Sequence, residues 1–158
     1  YSQSLRIELE QNAICYGWDI YRFGRSARGE VFDGGAWRSR TEVWQNGLPL
    51  WIDRQYLPGH EINLQSANAL HGKSVVGTFW LIGLPVDSHT IEDLRLRLGI
   101  SKLSSSEEIG ITRLEEGMLV RYRGNSTAIA RALFILIWGA LRQKYSDRPP
   151  CIPRVWQV

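Results

Sequence analysis

Residues 39–57 read SRTEVWQNGLPLWIDRQYL, and this stretch decides the fold. Two runs rich in β-branched and aromatic residues, Ser39–Gln45 and Leu48–Leu57, flank Asn46-Gly47. Asn-Gly accepts positive φ at both central positions of a type I′ turn, so the spacing predicts a β-hairpin. Side chains alternate across a strand. Arg40, Glu42 and Trp44 therefore belong to one face, and Thr41, Val43 and Gln45 to the other.

The same periodicity extends to both sides. Toward the N-terminus, Leu5–Leu9 alternates with period two, Gln11-Asn12 supplies a turn, and Ile14–Phe23 carries Tyr16, Trp18, Tyr21 and Phe23; both read as strands. Toward the C-terminus, Ser74–Ile82 is a β-branched and aromatic run bounded by Gly72 and Gly83. Helical spacing begins at Thr90–Leu98, after Asp87-Ser88 and with Gly99 as a stop. Ile109–Leu114 and Met118–Arg123, joined by Glu115-Glu116-Gly117, form a second expected hairpin. Gly124-Asn125-Ser126 then caps the longest helix, Thr127–Lys144. Its Ile129, Leu133, Leu136, Ile137, Ala140 and Leu141 share one apolar face, which Phe134 and Trp138 widen. The proline-rich tail from Arg148 is expected to run extended, anchored by Ile152, Val155 and Trp156. The class expected is mainly β, with antiparallel strands and two α-helices near the C-terminus, in one unit over residues 1–158.

Composition excludes several functions. No apolar run approaches the roughly 20 residues that cross a bilayer. The net charge of +3 is mild, and 16 of the 19 cations are Arg, without the clustered basic face of a nucleic-acid binder. Arg suits planar, bidentate and partly buried ion pairs. Cys15 and Cys151 are too few for a disulfide framework, so a reduced, cytoplasmic chain is expected.

Catalytic and metal motifs are missing. There is no G-x-S-x-G, phosphate-binding glycine loop or H-E-x-x-H, and His60, His71 and His89 share no ligand spacing for a tight zinc or nickel site. One constellation remains: Gly24, Arg25, Arg28, Gly29 and Glu30 in one tight segment, then Arg38 and Arg40 on the next strand. The glycines permit positive φ or close backbone approach, and the Arg and Glu charges suit fork-shaped pairing. The residues alone leave open a β-rich hydrolase acting on carbohydrate, with Trp platforms and a Glu115-Glu116 carboxylate pair, and a non-enzymatic β-module binding another protein.

The run GRSARGEVF at 24–32, followed by the hairpin from Arg38 to Arg54, resembles the urease accessory protein UreD (UreH) family. So do Tyr122–Thr127, Ala130–Phe134 with Trp138, and the closing Pro153-Arg154-Val155-Trp156. On this resemblance Gly24, Arg25, Gly29, Glu30, Arg38, Arg40 and Arg54 are family motif positions. It implies a UreD-like β-rich fold, incomplete on its N-terminal side, this chain being the C-terminal portion of a longer domain. It also implies a maturation chaperone and not an enzyme: one that bridges urease apoprotein to UreF, which recruits the GTPase UreG, so that nickel reaches the urease active site. No tightly bound cofactor is implied, only nickel in transit, with Glu30, Asp53 and Glu61 expected along a polar path. Phe134, Trp138, Arg154 and Trp156 are the expected partner surface, and neither nucleic acid nor membrane is an expected partner.

Overall fold

The computed structural model describes residues 1–25, 28–60, 64–99 and 106–154. In chain order the described elements are β1 (Ser2–Leu9), β2 (Cys15–Arg22), β3 (Ala36–Gln45), β4 (Leu48–Pro58), β5 (Val75–Ile82), α1 (Ser88–Arg97), β6 (Glu108–Leu114), β7 (Gly117–Gly124) and α2 (Thr127–Ser146). The fold is mainly β with two helices toward its C-terminal end, as the periodicity predicts.

The decisive hairpin forms. β3 and β4 pair antiparallel, with Arg40 opposite Arg54 and Thr41 opposite Asp53. Asn46 and Gly47 take φ values of 52° and 77°, as a type I′ turn requires. The register slips between Val43 and Trp44, a β-bulge that leaves Trp44 opposite Pro49, near the start of an edge strand where a missing N–H is tolerated.

The strands divide into two sheets, ordered β1-β3-β4 and β2-β5-β7-β6. All pairings are antiparallel except one: β1 runs parallel to β3, with Ser2 beside Arg38 and Leu9 beside Gln45. Residues 10–35 separate these partners, and β2 within that connection belongs to the other sheet.

The four-stranded sheet is the middle of three layers. Seven of the eight β5 positions are buried, the pattern of a strand covered on both faces. Toward the helices, Val75, Phe79 and Leu81 pack with Val120 and Tyr122 against Ile91 and Leu94 of α1 and Phe134, Ile137 and Leu141 of α2. Toward the other sheet, Trp80 and Ile82 pack with Leu119 against Leu5, Ile7, Val43 and Trp51. Burying each large side chain contributes about 1.5–3 kcal/mol.

Side chains close the helix starts. Asp87 accepts the Thr90 N–H at 2.7 Å at the start of α1, and Ser126 accepts the Ile129 N–H at 3.2 Å at the start of α2. Gly99 follows α1 at φ 58°, the left-handed stop expected of it. The tail crosses α2 at Gly139, where an added Cβ would stand 3.3 Å from Pro150. Of its expected anchors, Ile152 is 40% exposed, and Val155 and Trp156 lie outside the described residues. No described helix is long and apolar enough to cross a membrane.

Candidate functional site

The space between the two sheets is apolar at its ends and polar in its middle. At one end lie Phe23, Trp37, Leu57 and Leu70, with Val76 against them; at the other lie Val43, Trp80 and Ile82. Strand parity builds the interruption. On β3, Ser39 and Thr41 stand between Trp37 and Val43; on β4, Asp53 and Gln55 between Trp51 and Leu57; on β5, Thr78 between Val76 and Trp80. The cross-strand row Asp19, Thr78, Arg121 forms the floor of this belt.

Arg121 is its organising cation. It donates from Nη2 to Asp53 Oδ1 at 2.6 Å and from Nη1 to Thr78 Oγ1 at 2.5 Å. Gln55 Nε2 donates to the second Asp53 oxygen at 2.7 Å and to Thr78 at 3.3 Å. Asp53 is thus held by both oxygens while 14% exposed, meeting the requirement that a buried charge be paired and hydrogen-bonded. Tyr21 and Ser39 share a 3.2 Å hydroxyl contact. Burial pushes the Asp19 carboxyl up; a hydrogen bond from Gln3 opposes this and the nearby Asp53 charge reinforces it, leaving the group above its ordinary range.

The glycine-rich segment is a separate structure on the surface. Arg25 presents Nε and Nη2 to the two Glu30 oxygens, both at 2.6 Å, and the Arg25 carbonyl accepts the Arg28 and Glu30 N–H groups. Gly24 is required: φ is 78°, and a Cβ there would stand 2.4 Å from the Glu30 carbonyl oxygen. Gly29, at φ 72°, has open space around it, so only its backbone conformation calls for glycine. Glu30 therefore faces Arg25, whereas Asp53 sits in the inter-sheet belt with Arg121; the fold does not bring the two carboxylates together. Glu61 lies outside the described residues. Among the described residues, no three His, Cys, Asp or Glu groups form a cluster able to hold a metal.

Arg38, Arg40 and Arg54 project from the opposite, outward face of the three-stranded sheet. Arg38 stacks 4.6 Å from the Tyr56 ring centre, and Arg40 donates from Nε to Glu42 at 2.5 Å. Burial pushes the Glu42 carboxyl up. Hydrogen bonds from Arg40 and Trp44 and the charges of Arg40 and Arg6 outweigh that and hold it below its ordinary range.

The expected partner surface needs one correction. Phe134 is 1% exposed and packs 5.9 Å from Phe79 and 6.5 Å from Trp18, ring centre to ring centre. It belongs to the core, because α2 lies on the middle sheet along the line Ala130, Phe134, Ile137, Leu141. The large apolar residues that α2 does expose are Ile129 and Leu136. Trp138 is half-buried beneath Arg142, 5.3 Å away, and Arg154 is exposed. Trp156 lies outside the described residues.

Asp19, Gln55, Thr78 and Arg121 escape a reading of the sequence. The one available signal is parity: in Met118–Arg123, the apolar Met118, Val120 and Tyr122 alternate with Leu119, Arg121 and Arg123. Alternation says that Arg121 shares a face with Leu119, not that a second sheet covers that face.

Comparison with known proteins places the whole chain in one family. The family model of the UreD urease accessory protein matches residues 1–157. The chain is 49% identical to the urease accessory protein UreD of a Nostoc species, 48% to that of Nostoc punctiforme and 47% to that of Acaryochloris marina. Each comparison covers 100% of this chain and 55% of the relative. The chain thus spans about half the length of the curated relatives it matches. With the family model matched over residues 1–157 and the 38–54 hairpin paired as described, the chain belongs to the UreD urease accessory protein family.

Proposed function

We propose that this chain works in urease maturation as a non-catalytic chaperone in the cytoplasm. It binds urease apoprotein and, with UreF and through it UreG, supports delivery of nickel to the urease active site. The observation that carries this reading is the match to the UreD family over residues 1–157. Nickel is cargo here and not a resident cofactor. Carboxylates are hard, weak ligands for nickel beside imidazole or thiolate, and weak sites suit passage. Asp53, in the belt between the sheets, is the inner carboxylate of this proposed route, with Glu30 at the surface and Glu61 the third position proposed for it. The partner surface is the exposed side of α2, at Ile129 and Leu136, with Trp138 and the tail through Arg154 and Trp156.

The test is co-expression of the chain with urease structural genes, UreF and UreG in a host lacking its own UreD, followed by nickel determination in purified urease. Nickel content well above the chain-free control is expected, falling with Asp53→Asn while the variant still co-purifies with UreF. A folded chain that binds neither urease apoprotein nor UreF and leaves nickel content at the control level overturns the reading.

A further inference from the structure

The outward face of the β1-β3-β4 sheet is built in cross-strand rows. Registers set Ser2, Arg38 and Tyr56 in one row and Ser4, Arg40 and Arg54 in the next. Beyond these come Arg6, Glu42 and Ile52. Charge changes along the face. Toward the bulge the cations are answered: Arg6 pairs with Glu8 and lies 4.2 Å over Trp44, and Arg40 pairs with Glu42. At the other end, neither Arg38 nor Arg54 has a carboxylate partner among the described residues, and Arg54 stands directly opposite Arg40. Like charges directly opposed on one sheet face are destabilising; Glu42 meets the Arg40 charge, which leaves Arg38 and Arg54 as the cations of this end that an external anion would neutralise. The same residues line one shallow groove, with Ser2, Ser4, Arg38, Arg40, Arg54 and Tyr56 along it. Arg and Tyr are the side chains enriched where protein partners bind most strongly.

We propose that this groove is a docking surface for an extended acidic segment of a partner protein, its carboxylates seated on Arg38 and Arg54 beside the Glu42-paired Arg40. Spacing favours an extended peptide. Arg38 stands two residues, about 7 Å, along β3 from the position that faces Arg54, which matches alternate side chains of a partner strand. Arg54 lies one strand away from Arg40, about 5 Å across the sheet. Guanidinium groups meet carboxylates through paired N–H donors, and Tyr56, 58% exposed, adds an aromatic wall. The inference rests on this sheet face alone and stands independently of the maturation reading.

The probe is a fluorescein-labelled peptide of alternating Glu and Ala, titrated by anisotropy with the full 158-residue chain at low and moderate salt. Binding that weakens with salt is expected, and Arg38→Gln/Arg54→Gln should reduce affinity by about tenfold or more. Arg97→Gln on α1, whose side chain pairs with Asp93, should leave affinity unchanged. Because Arg54 has no carboxylate partner among the described residues, Arg54→Gln should leave the melting temperature of the parent chain unchanged, which separates lost binding from lost folding. Equal binding by parent and double variant overturns the proposal. So does tighter binding of a single-stranded oligonucleotide of equal charge, which marks a general polyanion surface. A sedimentation change in the double variant without a peptide effect also overturns it and assigns the face to contact between two copies.

Discussion

Arg121 Nη2 lies 2.6 Å from Asp53 Oδ1. These residues are 68 positions apart in the chain, on β7 and β4, and their ion pair joins the two sheets through the polar belt of an interface that is apolar at its ends. Removing one member of such a pair strands the other in a partly desolvated site. Replacing both by apolar groups removes that penalty.

Arg121→Leu is therefore expected to destabilise the chain by about 2 kcal/mol, less than a fully buried pair would lose because Arg121 is 40% exposed. Arg121→Leu/Asp53→Leu should recover part of that loss. Urea denaturation of the two variants and the parent checks this, and a double variant less stable than the single one contradicts it.

Asp19 sets a pH dependence of opposite sign to the usual carboxylate. Its folded-state value is raised above 3.8, chiefly by burial, so the native state holds the proton more tightly than the unfolded chain does. The stabilisation is present at pH below 3.8 and is lost as pH rises through the folded-state value. Asp19→Asn should accordingly raise the urea midpoint at neutral pH, with the gain vanishing in acid.

Asp87 acts in the conventional direction. It caps α1 and ties it to α2, with Lys144 Nζ 2.9 Å from Oδ2 and the Thr90 N–H 2.7 Å from Oδ1. The Lys144 hydrogen bond first, then those of Thr90, hold its carboxyl well below the ordinary 3.8. Its contribution is present above 3.8 and lost as pH falls through the folded-state value. Lys144, raised mainly by the same contact, contributes below 10.5 and loses that contribution as pH climbs through its folded-state value. Asp87→Asn should lower the melting temperature at neutral pH and flatten its decline in acid, as followed by circular dichroism across a pH series.

Gly77 and Phe134 should couple. A Cβ on Gly77 would stand 2.9 Å from the Phe134 ring, so Gly77→Ala forces the ring out of its slot at about 1–3 kcal/mol. Phe134→Ala alone leaves a cavity costing about 3–5 kcal/mol. The double variant Gly77→Ala/Phe134→Ala should be more stable than the sum of its single changes predicts. Additive energies in a double-mutant cycle would refute the coupling.

Much of the fold is legible in the sequence because its signals are local. Asn46-Gly47 determines the turn, period-two alternation places Thr41 and Val43 on one face and Arg40 and Glu42 on the other, and Ser126 and Gly99 mark helix ends. The Arg25–Glu30 pair is local too: the two side chains that meet are only five residues apart, beside Gly24, whose backbone approaches the Glu30 carbonyl. A period of 2 or 3.6 states which side of an element is covered but not by what. Phe134 has the same spacing whether a partner or the protein's own sheet covers it, and only the stacking of α2 on β5 places it inside. The parallel pairing of β1 with β3, the choice of Arg121 over nearer arginines as the partner of Asp53, and the juxtaposition of Arg40 with Arg54 above an open groove all depend on how layers and registers align. Those alignments are set by burial of whole faces across long stretches of chain, a property of the assembled sheets that no single segment carries.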